Sequence, residues 1–151
     1  MRLRGEPHEL SIGMSFGIFS GMLPIIPFHT AFAVALALFF KGSKIAAAIG
    51  VWVSNPLNWY ILYYLNYRIG AFILGLSENH KGFSSLMESI RNMGEGLSLL
   101  KEIVGASSSI IAAFVIGGIL MGICASLPSY FIFLRLFRFI NTWRAMKKDR
   151  N

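Results

Sequence analysis

The chain has 151 residues, of which 55% are hydrophobic and 14% charged, with a mean hydropathy of +0.61. Soluble domains carry about 25% charged residues, so this balance indicates an integral membrane protein with no room for a separate soluble catalytic domain. The net charge of +7 does not point to nucleic acid, because six of the fourteen basic residues lie in a C-terminal tail after an apolar segment. A basic tail in that position is first a membrane topology signal.

Residues 1–10 form a polar N-terminus, which we expect to be retained and cytoplasmic. The first apolar segment, Leu10 to Phe40, would be about 46 Å long as one helix, against a hydrocarbon core of about 30 Å. Pro24 and Pro27 divide it into halves that each suit a re-entrant helix better than a full crossing. A kinked spanning helix is the alternative. The small-residue row Gly13, Gly17 and Gly21 predicts close helix packing.

A second apolar segment, Ile45 to Leu76, follows the basic turn Lys41–Lys44, which favours the cytoplasmic side. It is broken at Asn55-Pro56, so residues 11–76 form a predicted membrane core with two proline breaks. Such breaks are costly in hydrocarbon unless protein or water satisfies the freed backbone groups, so they should face a buried polar interior.

The rest of the chain is predicted to hold two more helices. Residues 77–106 have a helical apolar repeat and a polar face, which predicts an amphipathic helix. Residues 107–134 read as a transmembrane helix in which Gly118 and Gly122 serve helix packing, and Pro128 marks a kink or the exit. Residues 135–151 read as a basic cytoplasmic tail that anchors on anionic headgroups.

The predicted fold class is therefore an all-α integral membrane protein with proline-broken, partly re-entrant helices and one amphipathic helix. A re-entrant first segment and spanning second and third segments place both termini and the Lys41–Lys44 turn in the cytoplasm. In the alternative topology all three segments are broken or re-entrant, and the 77–106 helix is cytoplasmic as well.

The two breaks also carry a resemblance to a known family. A proline-led turn precedes His29-Thr30 and an alanine/leucine run, the basic turn follows, and Ser54-Asn55-Pro56-Leu57 then leads to Tyr63 to Gly70. Over about residues 11–76 this resembles the bacterial membrane family called domain of unknown function 2062, with Pro27 in place of a frequent glycine and Asn58 in place of a frequent threonine. The resemblance implies a multi-pass protein of the bacterial inner membrane. Some members of that family are fused to enzymes that use polyprenyl-linked sugars, which suggests lipid-linked substrates.

For function, the apolar segments contain no acidic residue, and the sequence holds neither a metal-ligand cluster nor a phosphate-binding loop. We therefore expect no enzyme activity, no metal and no cofactor. One hypothesis is transport or handling of a lipid-linked or anionic substrate by a homo-oligomer. Its site would be shaped by Pro24, Pro27, Asn55 and Pro56, with hydrogen bonds from His29, Asn55 and Asn58, and with Arg68 at the mouth. The alternative is a non-catalytic accessory subunit of a larger membrane complex. Under both hypotheses the protein contacts membrane lipids as partners.

Overall fold

The computed structural model describes residues 6–25, 28–53, 58–76, 84, 88 and 108–148. Its helices are α1 (Pro7–Met22), α2 (His29–Phe39), α3 (Lys44–Val51), α4 (Trp59–Ile73) and α5 (Ser108–Lys148). Every regular element among these residues is helical, so the all-α prediction is confirmed for them. The predictions for Pro27, Asn55 and Pro56 lie outside the described residues. So does the amphipathic helix, apart from Ser84 and Glu88, which are helical and exposed.

Helices α1 and α2 form a tight antiparallel hairpin. Helix α1 ends at Met22, and Leu23 is extended (φ −80°, ψ 145°) because the residue before a proline avoids helical backbone angles. After the turn, α2 runs back beside α1. The amide of Ser43, which follows α2, donates a hydrogen bond of 2.9 Å to the Glu9 carbonyl in the first turn of α1. The hairpin therefore starts and finishes at the same end of the molecule.

Helix α3 packs along α1 in the same direction, and glycines allow the two backbones to touch. A Cβ atom built on Gly17 would lie 2.6 Å from the Cα of Gly50, and one on Gly13 would lie 3.0 Å from the Cβ of Ala46. Ala46 and Ala47 are fully buried in this contact. Gly13 and Gly17 of the first row therefore pack against α3, as close helix approach requires.

Helix α5 has 41 residues and a length of about 61 Å. Both α1 and α4 pack against it. It is antiparallel to α1, because Gly118 lies at Met22, Gly122 lies at Phe19, and Tyr130 binds His8. Its first turns pack on α4, where Gly70 meets Ala113. Pro128 lies inside α5, so the predicted membrane segment (107–134) and the start of the basic tail belong to one helix.

One end of the molecule gathers basic residues that are distant in sequence. Ala46 packs with Leu10 and Met14 of α1, and Phe133 and Phe137 of α5 cover this cluster. The contact brings two basic segments to the same end, and we call this the basic end, defined by Lys41, Lys44, Arg135 and Arg138. The carboxylates of Glu6 and Glu9 at the start of α1 offset part of this charge.

Large apolar side chains remain uncovered over much of the described surface. Phe39, Trp52 and Phe72 are 81%, 80% and 87% exposed, and α5 adds Leu127, Phe131 and Ile132. Among the described residues, α5 is also the one helix long and apolar enough to cross a membrane. Exposed large apolar side chains in such number are typical of a membrane or protein contact.

Candidate functional site

A buried polar cluster lies where the α1–α2 hairpin turns. We define the polar cluster as Ser20, His29, Tyr63 and Asn66, all buried. Ser20 Oγ donates a hydrogen bond of 2.6 Å to the His29 carbonyl, which joins the end of α1 to the start of α2. Asn66 Nδ2 of α4 donates a hydrogen bond of 2.7 Å to the Met22 carbonyl. The cluster therefore connects three helices at one point.

The hydrogen bonds of His29 define its tautomer. Its Nε2 atom lies 2.8 Å from the Leu23 carbonyl oxygen, and a carbonyl can only accept a hydrogen bond. Nε2 therefore carries a proton and donates it to Leu23. The Tyr63 hydroxyl is 3.5 Å from the same nitrogen, at the outer limit for a hydrogen bond, and so it is the weaker partner.

Asn66 has an unused hydrogen-bonding group. Its side chain is completely buried, yet Oδ1 has no hydrogen-bond partner within the structure described. A buried amide oxygen without a donor costs about 1–3 kcal/mol, so few such atoms persist in native proteins. The polar cluster therefore offers one free acceptor in addition to the bonds it makes with its own backbone.

Glycines of α5 bring α4 and α1 close enough to form the cluster. A Cβ atom on Gly117 would overlap the Asn66 carbonyl, and one on Gly118 would lie 3.1 Å from the Met22 carbonyl and 3.2 Å from Pro24 Cδ. The first is an overlap with backbone, which cannot move aside cheaply, whereas the second is a close contact that a shift of a few tenths of an ångström would relieve. Gly117 and Gly118 therefore allow the close packing that surrounds the Asn66–Met22 bond.

The structure separates the predicted site residues. His29 belongs to the polar cluster, and Pro24 lies half-buried in the turn beside it. The side chain of Asn58 instead donates a hydrogen bond of 2.8 Å to the Val53 carbonyl in the connection before α4. Arg68 is exposed, with its guanidinium carbon 5.8 Å from the centre of the Tyr64 ring. His29 and Arg68 therefore occupy different environments, while Asn55 is not described.

The predicted packing glycines all lie in helix contacts or in the core. Gly13 and Gly17 face α3, and Gly21 is buried at the end of α1. Gly118 and Gly122 face α1, where a Cβ on Gly122 would lie 2.7 Å from the Phe19 ring.

Sequence reasoning missed three members of the cluster. It did not place Tyr63 in the site, whereas Tyr63 is buried with its ring edge-on to Phe114 at a centroid distance of 6.4 Å. It did not select Ser20 or Asn66. The available signal was Asn66 itself, an amide in an apolar helix three residues after Tyr63 and therefore on the same helix face.

The side chains of the cluster provide hydrogen-bond donors and acceptors. Among the described residues no group of three or more His, Cys, Asp or Glu side chains could hold a metal ion. The groups present are an imidazole, a phenol, a hydroxyl and an amide, and no carboxylate is part of the cluster. Such a set suits binding or helix positioning.

These features define an all-helical protein with an interrupted hairpin, a buried polar turn and one long apolar helix. The chain belongs to the family described as uncharacterized protein conserved in bacteria (DUF2062), whose family model matches residues 1–146. The resemblance seen over residues 11–76 is thus confirmed and extends over nearly the whole chain. No curated protein and no solved structure matches the chain.

Proposed function

We propose that this is a multi-pass protein of the bacterial inner membrane that transports or handles a lipid-linked or anionic substrate at the polar cluster. The observation that supports this most is the depth of the cluster along α5. Gly118, which lies at the cluster, is within about 5 Å of the midpoint of the apolar stretch 108–134. Substrate sites in transporters with broken helices lie near the bilayer midplane.

In the topology that we propose, the hairpin is re-entrant. Helix α1 leads from the basic end to the polar cluster, and α2 returns to the basic end. Helices α3 and α4 then continue to the opposite side, and α5 crosses back. The basic end faces the cytoplasm by the positive-inside rule, which places both termini there and residues 77–107 outside.

The substrate contacts are also proposals. The free Oδ1 of Asn66 and the His29 imidazole would bind polar groups of the substrate at mid-depth, and Asn55 and Asn58 would line its approach. Arg68, exposed on α4, would attract an anionic headgroup at the mouth of the site. A homo-oligomer would complete the enclosure that one small chain cannot provide alone.

One observation favours the accessory role instead. Ser20, His29 and Asn66 all bond to carbonyl groups of this chain, so they hold the hairpin turn in place without a ligand. In that case the apolar faces of α2 and α4, with Leu38 53% and Ile61 60% exposed, would contact helices of a larger membrane complex.

Cysteine labelling in intact cells tests the topology. In a Cys124→Ser background, Lys44→Cys and Met146→Cys should react only after the membrane is permeabilised, and His80→Cys should react from outside. Both Lys44 and Met146 are exposed, so burial does not limit their labelling. External labelling of Lys44→Cys would exclude the re-entrant hairpin.

Co-purification tests the function. Protein extracted from native membranes should carry an enriched lipid-linked or anionic lipid, identified by mass spectrometry. His29→Leu should abolish this enrichment at unchanged expression, and Arg68→Lys should retain more of it than Arg68→Leu. A stoichiometric membrane protein partner, with no enriched lipid and no effect of His29→Leu, would support the accessory role.

A further inference from the structure

The outer face of α3 forms an open, shallow apolar surface, which we call the α3 groove and which begins at the basic end. The groove has a volume of about 640 Å³ and is lined by Lys44, Ile45, Ala48, Ile49 and Trp52. The opposite face of α3, with Ala46, Ala47 and Gly50, is buried against α1. Along the groove, Lys44 and Trp52 are eight residues apart, which is about 12 Å of helix.

The groove is charged at one end and apolar along the rest of its length. Its single charged lining residue, Lys44, lies at the basic end, and exposed Lys41 lies three residues earlier in the same connection. The remaining lining side chains are apolar, and Trp52 at the far end is 80% exposed. A ligand that fits this order has an anionic head at the lysines and a hydrocarbon chain along Ile45, Ala48 and Ile49.

We infer that the α3 groove binds one anionic phospholipid, with its phosphate at Lys41 and Lys44 and an acyl chain along the groove toward Trp52. The inference rests on the membrane location proposed above, and it adds a lipid site distinct from the polar cluster. Charge complementarity selects this occupant. Two neighbouring lysines favour an anionic headgroup, because a zwitterionic lipid would place its own cation beside them.

The position of the groove within the fold agrees with this occupant. Ala46, beside Lys44 on α3, packs at the level of Phe133 and Phe137 on α5, where the apolar part of α5 gives way to Arg135 and Arg138. In the proposed topology this is the headgroup level of the cytoplasmic leaflet, which carries the anionic lipids. The groove then follows α3 toward the bilayer centre, which is the direction that an acyl chain takes.

Fluorescence quenching by brominated lipids tests the site at Trp52. The full chain with Trp59→Phe and Trp143→Phe, which leaves Trp52 as its single tryptophan, is reconstituted with phosphatidylcholine and increasing brominated phosphatidylglycerol or brominated phosphatidylcholine. We expect half-maximal quenching at a lower fraction of phosphatidylglycerol, by about five-fold for each lysine that contacts the phosphate. Lys41→Gln with Lys44→Gln should remove this preference, and high salt should reduce it.

Two matched variants separate a specific site from general effects. Arg138→Gln removes a charge from the basic end outside the groove and should keep the preference. Ala48→Phe fills the groove and should weaken quenching by phosphatidylglycerol at unchanged thermal stability, because Ala48 faces outward.

Equal quenching by the two lipids in the unmutated groove would overturn the inference and show ordinary lipid contact. Absence of quenching by either lipid would also overturn it and indicate that a protein covers the face. Neither result contradicts the proposed membrane function if cysteine labelling gives the expected topology. The lipid site and the membrane function are therefore tested independently.

Discussion

Asn66 of α4 donates a hydrogen bond of 2.7 Å to the carbonyl of Met22, the last residue of α1. The two residues are 44 positions apart in the chain, and Asn66 is completely buried. A helix end that is buried needs partners for its free carbonyl groups. This bond supplies one and so fixes α4 to the interruption in the first apolar segment.

Asn66→Leu leaves the buried Met22 carbonyl without this donor, but it also removes the unpaired Oδ1 and keeps the branched shape of the side chain, so we expect a net destabilisation of about 0.5–1.5 kcal/mol. Thermal unfolding in detergent measures the change. Asn58→Leu is the matched control, because its bond to Val53 is exposed. Equal melting temperatures for wild type and Asn66→Leu would contradict a structural role for the bond.

The tautomer of His29 predicts unequal effects of two substitutions. His29→Leu removes the imidazole donor of the Leu23 carbonyl, which keeps a hydrogen bond of 2.9 Å from the Ile25 amide, and should cost about 0.5–1.5 kcal/mol. Tyr63→Phe removes only the contact at 3.5 Å and should cost less than about 1 kcal/mol. Denaturation of the two variants under the same conditions shows which of them loses more stability. A larger loss for Tyr63→Phe would mean that the tyrosine, not Leu23, is the principal partner of the imidazole.

Neighbouring glycines of α5 should differ in their tolerance of a methyl group. Gly117→Ala places Cβ onto the Asn66 carbonyl, so α4 must move, and we expect a loss of about 1–3 kcal/mol. In Gly118→Ala the nearest atom is 3.1 Å away, and a shift of a few tenths of an ångström accommodates it. The melting temperatures of both variants show whether their losses of stability differ. Similar values would show that α4 and α5 are not in backbone contact at Gly117.

Lys41 has a left-handed backbone, with φ of 55°, directly after α2. Glycine adopts this conformation without the steric cost of a Cβ atom, so Lys41→Gly should stabilise the protein by about 0.5–1 kcal/mol. Lys44→Gly removes the same charge at the first residue of α3, outside the helix interior where glycine costs about 1 kcal/mol, so we expect a smaller change in stability. A clear gain for Lys41→Gly alone in unfolding experiments would establish the backbone effect apart from charge. Destabilisation by Lys41→Gly would contradict it.

The sequence by itself determined the helical class, the family and the interruption of the first apolar segment. Helical periodicity, high apolar content and Pro24 are local properties, and a proline limits the residue before it wherever the chain folds. The value of Gly13, Gly17, Gly118 and Gly122 for helix contacts could also be predicted, since spacing along a helix places small residues on one face.

Only the tertiary structure decided which of these faces meet and which polar groups share a site. Asn66 and Met22 lie 44 residues apart, and their bond depends on α4 lying beside the end of α1 along α5. The same packing buries Tyr63, whose sequence pattern fits the membrane interface equally well. It also places the Lys41–Lys44 turn beside Phe133 and Phe137, because Ala46 packs in the cluster that they cover. Periodicity shows which face of a helix is apolar. Which other helix that face contacts, and how deeply its residues are buried, depends on how the helices pack together.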